Sequence, residues 1–170
     1  MEALIMLGSN IDKAANMARA RAALAAHPEI KLLALSPLYV TAAIGVDGAP
    51  AAQPAFYNAA AHIATTLTPA ALHEALRAIE ARLGRVRSSD KFAPRPIDLD
   101  IAYCGAGATT IDNKTIPDAD VLRYAHVAVP LAAVAPAWVH PTTGQTLATI
   151  AQQWAESRME SLSWTSTPVI

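Results

Sequence analysis

Asp98 and Asp100, two residues apart and preceded by a run of cations, are the residues of this chain best suited to chemistry. Residues 84–101 read GRVRSSDKFAPRPIDLDI. The two aspartates alternate with Ile97, Leu99 and Ile101. On a strand, successive side chains point to opposite faces. The three apolar residues can therefore enter a core while the carboxylates share the other face, with Cα atoms roughly 6.5–7 Å apart. Such a pair suits a hard cation. Mg²⁺ is usually held by one or two carboxylates and completes its shell with phosphates and water. Arg85, Arg87 and Arg95, with Lys91, add donors, and a planar guanidinium fork matches phosphate oxygens. Cations beside a carboxylate pair predict metal-assisted phosphoryl transfer, which rests on positioning and charge neutralisation.

Each of these residues also has a plainer reading. A lone Asp-x-Asp is the solvent face of a strand. Arg85 and Arg87, taken singly, are a solvated helix end favoured by the dipole. Arg95 lies between Pro94 and Pro96, whose rings stiffen its backbone, and a fixed arginine serves phosphate better than solubility.

The elements that must position these groups follow from periodicity. Residues 3–7 form a short apolar run closed by Gly8-Ser9-Asn10, read as a buried strand and a turn. A helix is predicted over 11–26, with Asn10 as N-cap, Asp12 in its first turn and His27-Pro28 ending it. Residues 31–40 read as a second strand, in which Pro37 marks an edge or a bulge. A long loop carrying Gly45, Gly48, Pro50 and Pro54 fills 41–54, and loops of that length are often functional. A third strand spans 56–66. The clearest helix opens at Thr68-Pro69, stripes Leu72, Leu76, Ile79 and Leu83 on one face and closes at Gly84. A second loop, 88–96, leads into a strand over 98–103. The order is β-α-β-β-α-β, a ferredoxin-like α/β (α+β) core. Beyond it, a hairpin around Asp112-Asn113 is predicted over 109–115 and a helix over 148–156.

Composition bounds the function. One domain over 1–170 is expected, with about half of its residues apolar. A net charge of -1 gives no general nucleic-acid surface. The single cysteine, Cys104, excludes an intrachain disulfide framework. The first residues, MEALIMLGSN, hold no apolar run long enough for a membrane span and no basic leader. A cytoplasmic protein is expected. The five histidines show no metal-ligand spacing, and the CGAGA stretch lacks a dinucleotide-binding pattern. Asn58 sits in an apolar strand, where its amide is either a satisfied core group or a reader of a heterocycle's donor and acceptor edge.

Four blocks occur in order: Leu7-Gly8-Ser9-Asn10, Phe56-Tyr57-Asn58-Ala59-Ala60, Gly84-Arg85-Val86-Arg87 and Pro94-Arg95-Pro96-Ile97-Asp98-Leu99-Asp100-Ile101. Together they resemble the 6-hydroxymethyl-7,8-dihydropterin pyrophosphokinase family of folate biosynthesis, over residues 3–131. The resemblance implies transfer of the β,γ-diphosphate of ATP to the pterin hydroxymethyl group, with release of AMP. It implies two Mg²⁺ ions on Asp98 and Asp100, and phosphate-holding roles for Arg85 and Arg95. Arg87, Ile101 and Thr115 would border the nucleotide. Thr41, Ile44, Phe56, Asn58, Phe92 and His126 would border the pterin. The two loops, 41–54 and 88–96, would be mobile and close over the ligands. A monomer with small-molecule substrates alone is expected.

After Thr115 the chain departs from the family pattern. Asp118 follows Pro117 where the family has histidine. Tyr124 and His126 stand where arginine and phenylalanine are expected, and Arg123 comes one residue early. A carboxylate at 118 beside a triphosphate predicts ATP binding weaker by roughly tenfold, unless Asp118 is instead a partner for a cation such as Lys114 or Arg123 and the segment is built around a different contact set. Two rival readings remain: an enzyme for a variant pterin, and a non-catalytic pterin- or nucleotide-binding paralogue. A pure binder need not retain Asp98, Asp100, Arg85 and Arg95 together.

Overall fold

Strand β1 (Glu2–Ser9) is apolar on both faces, and it is a central strand. It pairs antiparallel with β4 (Phe56–Thr65) on one side and β5 (Asp98–Cys104) on the other. The computed structural model describes residues 1–43, 52–86, 93–105, 107–155, 160–162 and 164. Ile44, Arg87, Lys91 and Phe92, and the greater part of the two predicted loops, lie outside the described residues.

Beyond β4 lie β2 (Ile30–Leu35) and β3 (Leu38–Thr41), both antiparallel to it, and β8 (Glu160–Leu162) pairs with β3. Helices α1 (Lys13–Ala25) and α2 (Pro69–Arg82) cover one face of this sheet. There Ala3, Ile5 and Leu7 of β1 meet Met17, Ala20 and Leu24 of α1, and Leu72, Leu76 and Ile79 of α2. This is the predicted β-α-β-β-α-β core. Three further helices follow: α3 (Asp120–Arg123), α4 (Ala125–Val134) and α5 (Leu147–Gln152). They close the opposite face, where Leu4, Ala60 and Tyr103 pack on Val121, Leu131 and Ile150. A bulge in β5 serves both cores. Ile101 pairs with Ile5 and Tyr103 with Leu4, so Ala102 is the extra residue that turns Tyr103 toward the second core.

Three expectations are corrected. The strand over 31–40 is two strands, broken at Ser36-Pro37 because Pro37 has no N–H for the ladder. Ser36 bridges the break: its N–H donates to Ala60 O at 2.9 Å, and its Oγ accepts from Ala60 N at 2.9 Å. The N-cap of α1 is Asp12, in the left-handed region at φ 41 and without a side-chain cap bond, because the Asn10 side chain is engaged elsewhere. The last predicted helix, 148–156, is Leu147–Gln152, capped by Thr146, which accepts from Thr149 N. The small hairpin is present as β6 (Thr109–Ile111) and β7 (Lys114–Ile116), turning through Asp112 and Asn113 at φ 47 and 63. Among the described residues, no helix is long and apolar enough to cross a membrane.

Candidate active site

The register of β1 creates the site. Gly8 is paired with Asn58 on one side and with Asp98 on the other, so an amide and a carboxylate flank one glycine. A Cβ at position 8 would come within 3.2 Å of Asn58 Oδ1 and 3.9 Å of Asp98 Cβ. Glycine is needed there for close approach. Ser9 and Asn10 continue the chain and hold the segment that carries Arg95. Ser9 Oγ donates to Pro96 O at 2.6 Å. Asn10 Oδ1 accepts from Arg95 N at 2.8 Å, and Asn10 N donates to Arg95 O at 3.2 Å. The turn that the sequence marks as a strand-to-helix link is thus also a clamp on Arg95.

Helix α2 delivers the second arginine. Its C-terminus is a Schellman motif: Gly84 N donates to Ala81 O at 3.1 Å, and Arg85 N donates to Glu80 O at 3.0 Å, with Gly84 at φ 89. Arg85 then folds back onto Glu80, whose side chain is only 2% exposed. Glu80 Oε1 accepts from Arg85 Nη1 at 2.6 Å and from Leu99 N at 2.8 Å. Arg85 also donates to Ile97 O and to Asp98 Oδ1. The guanidinium is enclosed among these partners, so the solvated-terminus reading does not hold for it. Glu80 is a positioning residue that the sequence reading passes over. The signal was available: it lies four residues after Leu76, on the face that enters the core.

Ile97, Leu99 and Ile101 are buried, as the alternation predicts, and Asp98 and Asp100 line a cleft on the other side of the strand. Asp98 Oδ2 accepts from Arg95 Nη1 at 2.6 Å, while Oδ1 meets Arg85. Burial pushes the Asp98 carboxyl up, but the two arginines outweigh it and hold it below the usual range. Asp100 goes the other way. The enclosing cleft walls, then the charge of Asp98, push it up against Lys114, Arg85 and Arg95. Two repelling carboxylates, one of them with its side chain 56% exposed, form an oxygen-donor set that a hard divalent cation would fit.

Two cavities meet here. One, of about 340 Å³, is lined by Gly8, Thr41, Phe56, Asn58 and His126 among others. The other, of about 290 Å³, is lined by His73, Arg77, Arg85, Ile111 and Asp112 among others. Arg95, Asp98, Asp100, Ile101 and Lys114 line both. Asn58 Nδ2 donates to Thr41 Oγ1 at 2.7 Å, which fixes the amide's orientation. Arg95 lies over the Phe56 ring, 6.0 Å from its centroid. His126 stacks on Tyr124 with centroids 5.2 Å apart, and burial lowers its pKa, so the ring is neutral at pH 7. Thr115 pairs with Thr110 across the hairpin and is not among the residues lining either cavity; its neighbours Lys114 and Ile116 line the second.

Asp118 does not stand as the lone carboxylate that the expected loss of ATP affinity requires. Its Oδ2 is 3.0 Å from Lys114 Nζ, and its Oδ1 accepts from Asp120 N at 2.9 Å. Burial pushes Asp118 up, and these two contacts outweigh it and hold the carboxyl low. A neutralised acid repels phosphate far less, so the basis for a tenfold loss falls away.

The family model described as 7,8-dihydro-6-hydroxymethylpterin-pyrophosphokinase (HPPK) matches residues 4–136. A protein from Methylorubrum extorquens, named 2-amino-4-hydroxy-6-hydroxymethyldihydropteridine pyrophosphokinase, is 45% identical over 136 residues, covering 79% of this chain and 82% of that one. A protein of the same name from Pseudomonas aeruginosa is 39% identical over 135 residues, covering 78% and 79%. Among solved structures, a Plasmodium falciparum HPPK-DHPS triple mutant superposes with a TM-score of 0.68 at 13% identity. It matches 91% of this chain, which spans only 43% of that longer one. At that identity the likeness bears on the fold alone.

Proposed function

The chain belongs to the 7,8-dihydro-6-hydroxymethylpterin-pyrophosphokinase family, and on that footing we propose how its own residues carry the reaction. The enzyme transfers diphosphate from ATP to the hydroxymethyl group of 6-hydroxymethyl-7,8-dihydropterin in folate biosynthesis, and AMP leaves. The observation that carries the residue-level reading is the meeting of two cavities across Asp98 and Asp100. The first cavity takes the pterin and the second the triphosphate, so the hydroxyl and the β-phosphorus face each other at the carboxylates.

In the first cavity Asn58, oriented by Thr41, reads the donor and acceptor edge of the pterin. Phe56 and the neutral His126 offer ring faces to it. In the second, Arg85 and Arg95 hold the phosphates that transfer. Both pair with Asp98 in the free protein. Arriving phosphate oxygens therefore compete with Asp98 for the guanidinium groups and free its carboxylate for metal. Glu80 and Asn10 keep the two arginines at the cleft while this exchange occurs. Asp98 and Asp100 would hold two Mg²⁺ ions. Bound there, Mg²⁺ neutralises the transferring phosphates and lowers the pKa of the attacking hydroxyl. Ile101, which lines both cavities, would border both ligands; Arg87, Ile44 and Phe92 keep the roles that the family resemblance implies and lie outside the described residues.

The test is incubation with ATP, Mg²⁺ and the dihydropterin, with nucleotide products separated by chromatography. AMP in step with pterin diphosphate is expected, and Asp98→Ala and Asp100→Ala should each abolish it without unfolding the protein. Formation of ADP, or near-normal turnover by either variant, would overturn the reading.

A further inference from the structure

Among the described residues, Lys114 is the only cation within 4.0 Å of the Asp100 carboxylate, at 3.9 Å from its Oδ1. The same ammonium lies 3.0 Å from Asp118 Oδ2. Its backbone is well anchored. It opens β7, two residues before Ile116, whose side chain is 2% exposed within the main core. Its side chain, by contrast, is 47% exposed and lines both cavities. Asp118 is a fixed post, because its other oxygen is held by Asp120 N. The charges of the cleft thus divide in two. Asp98 is paired with two well-enclosed arginines, while Asp100 shares with Asp118 one half-exposed lysine on a flexible stem.

We propose that Lys114 is a resident counter-ion shared by Asp118 and the metal-binding carboxylate: it eases the charge of Asp100 in the empty cleft and moves to a phosphate oxygen when metal and nucleotide arrive together. The inference rests on the assignment of Asp100 as a metal ligand. A divalent cation arriving alone must displace Lys114 or sit beside it, and both are unfavourable. A metal–triphosphate complex brings its own negative charge, which takes over the ammonium. Asp118 holds the lysine at the junction in either state. Lys114 therefore ties metal binding to nucleotide binding and disfavours a metal-loaded, nucleotide-free enzyme.

The test is Mn²⁺ titration by electron paramagnetic resonance, first without nucleotide and then with a non-hydrolysable ATP analogue. Wild type, Lys114→Met, Lys114→Arg and Asp100→Ala are compared. Lys114→Met should bind Mn²⁺ alone roughly tenfold more tightly than wild type and the Mn²⁺–analogue complex more weakly. Lys114→Arg should follow wild type in both. Lys114→Met binding Mn²⁺ alone no better than wild type, or the complex no worse, would overturn the proposal. The Asp100→Ala arm separates the two ideas: Mn²⁺ binding unchanged there would remove the metal assignment itself, and the proposal with it.

Discussion

Glu80→Ala is the substitution whose cost the structure defines best. One buried oxygen, Glu80 Oε1, accepts from Arg85 Nη1 at 2.6 Å and from Leu99 N at 2.8 Å. Breaking a buried ion pair costs about 3–5 kcal/mol when the partner is left uncompensated. Arg85 retains Asp98 and Ile97 O, so the lower end applies. The Leu99 N–H loses its acceptor, which costs about 1–3 kcal/mol if no water enters. The two penalties share one oxygen and overlap, so the whole is about 3 kcal/mol. That is a large share of the roughly 5–15 kcal/mol that holds a domain folded, yet not all of it. Glu80→Gln keeps an oxygen for both donors and loses only the charge assistance, about 1 kcal/mol.

Urea unfolding of both variants in metal-free buffer measures this. With a slope of about 2 kcal/mol per molar urea, the alanine variant should lose about 1.5 M in midpoint and the glutamine variant about 0.5 M. At temperatures where both are folded, Glu80→Gln should raise the KM for ATP, because Arg85 loses the charged post that turns it toward the cleft. An alanine variant within about 1 kcal/mol of wild type would refute the reasoning. So would equal losses for the two variants, since the cost would then lie in the charge and not in the placed oxygen.

Gly8→Ala should raise the KM for the pterin more than the KM for ATP, because the added Cβ presses on Asn58 Oδ1 at 3.2 Å; steady-state kinetics with each substrate varied in turn checks this. Asp98 has a folded pKa below its unfolded value, so its stabilising contribution is present above the unfolded value of about 4 and is lost as pH falls through the folded one. The stability gap between wild type and Asp98→Asn should therefore narrow as metal-free urea unfolding is repeated from about pH 6 to about pH 2; a gap that stays constant would mean that the arginine pairs do not persist in solution.

Helix α2 was legible from end to end, because each of its signals is local. Thr68 caps it, Pro69 opens it, the apolar stripe repeats at helical spacing and Gly84 takes the positive φ that ends it. The Asp98–Asp100 face was legible for the same reason, since alternation is a property of neighbours. Helix α4 was not, because Pro130 inside it reads as a breaker, while the packing of Ala128 and Leu131 against the sheet outweighs the lost N–H. The roles of Ser9 and Asn10 were hidden because their partners, Pro96 and Arg95, lie 87 and 85 residues away.

Asp118 shows how a single-residue electrostatic argument fails. Read alone, a carboxylate beside a triphosphate weakens binding. In the fold, the hairpin and the turn after it bring Lys114 against Asp118, and the pair enters the cleft as a unit of nearly zero net charge. The sequence offers Lys114 and Arg123 as alternative partners for Asp118, and the fold decides between them: no helix runs from 114 to 118, and the turn after the hairpin sets Lys114 against the carboxylate. The consequence reaches the proposed metal site. The acid held above its ordinary range is Asp100, which the cleft and Asp98 push up and which Lys114, Arg85 and Arg95 draw back down. On the proposal made for Lys114, Asp118 acts through the position that it gives the lysine. A substitution at 118 therefore acts on Asp100 at one remove, and its effect on ATP binding has the sign that the lysine dictates.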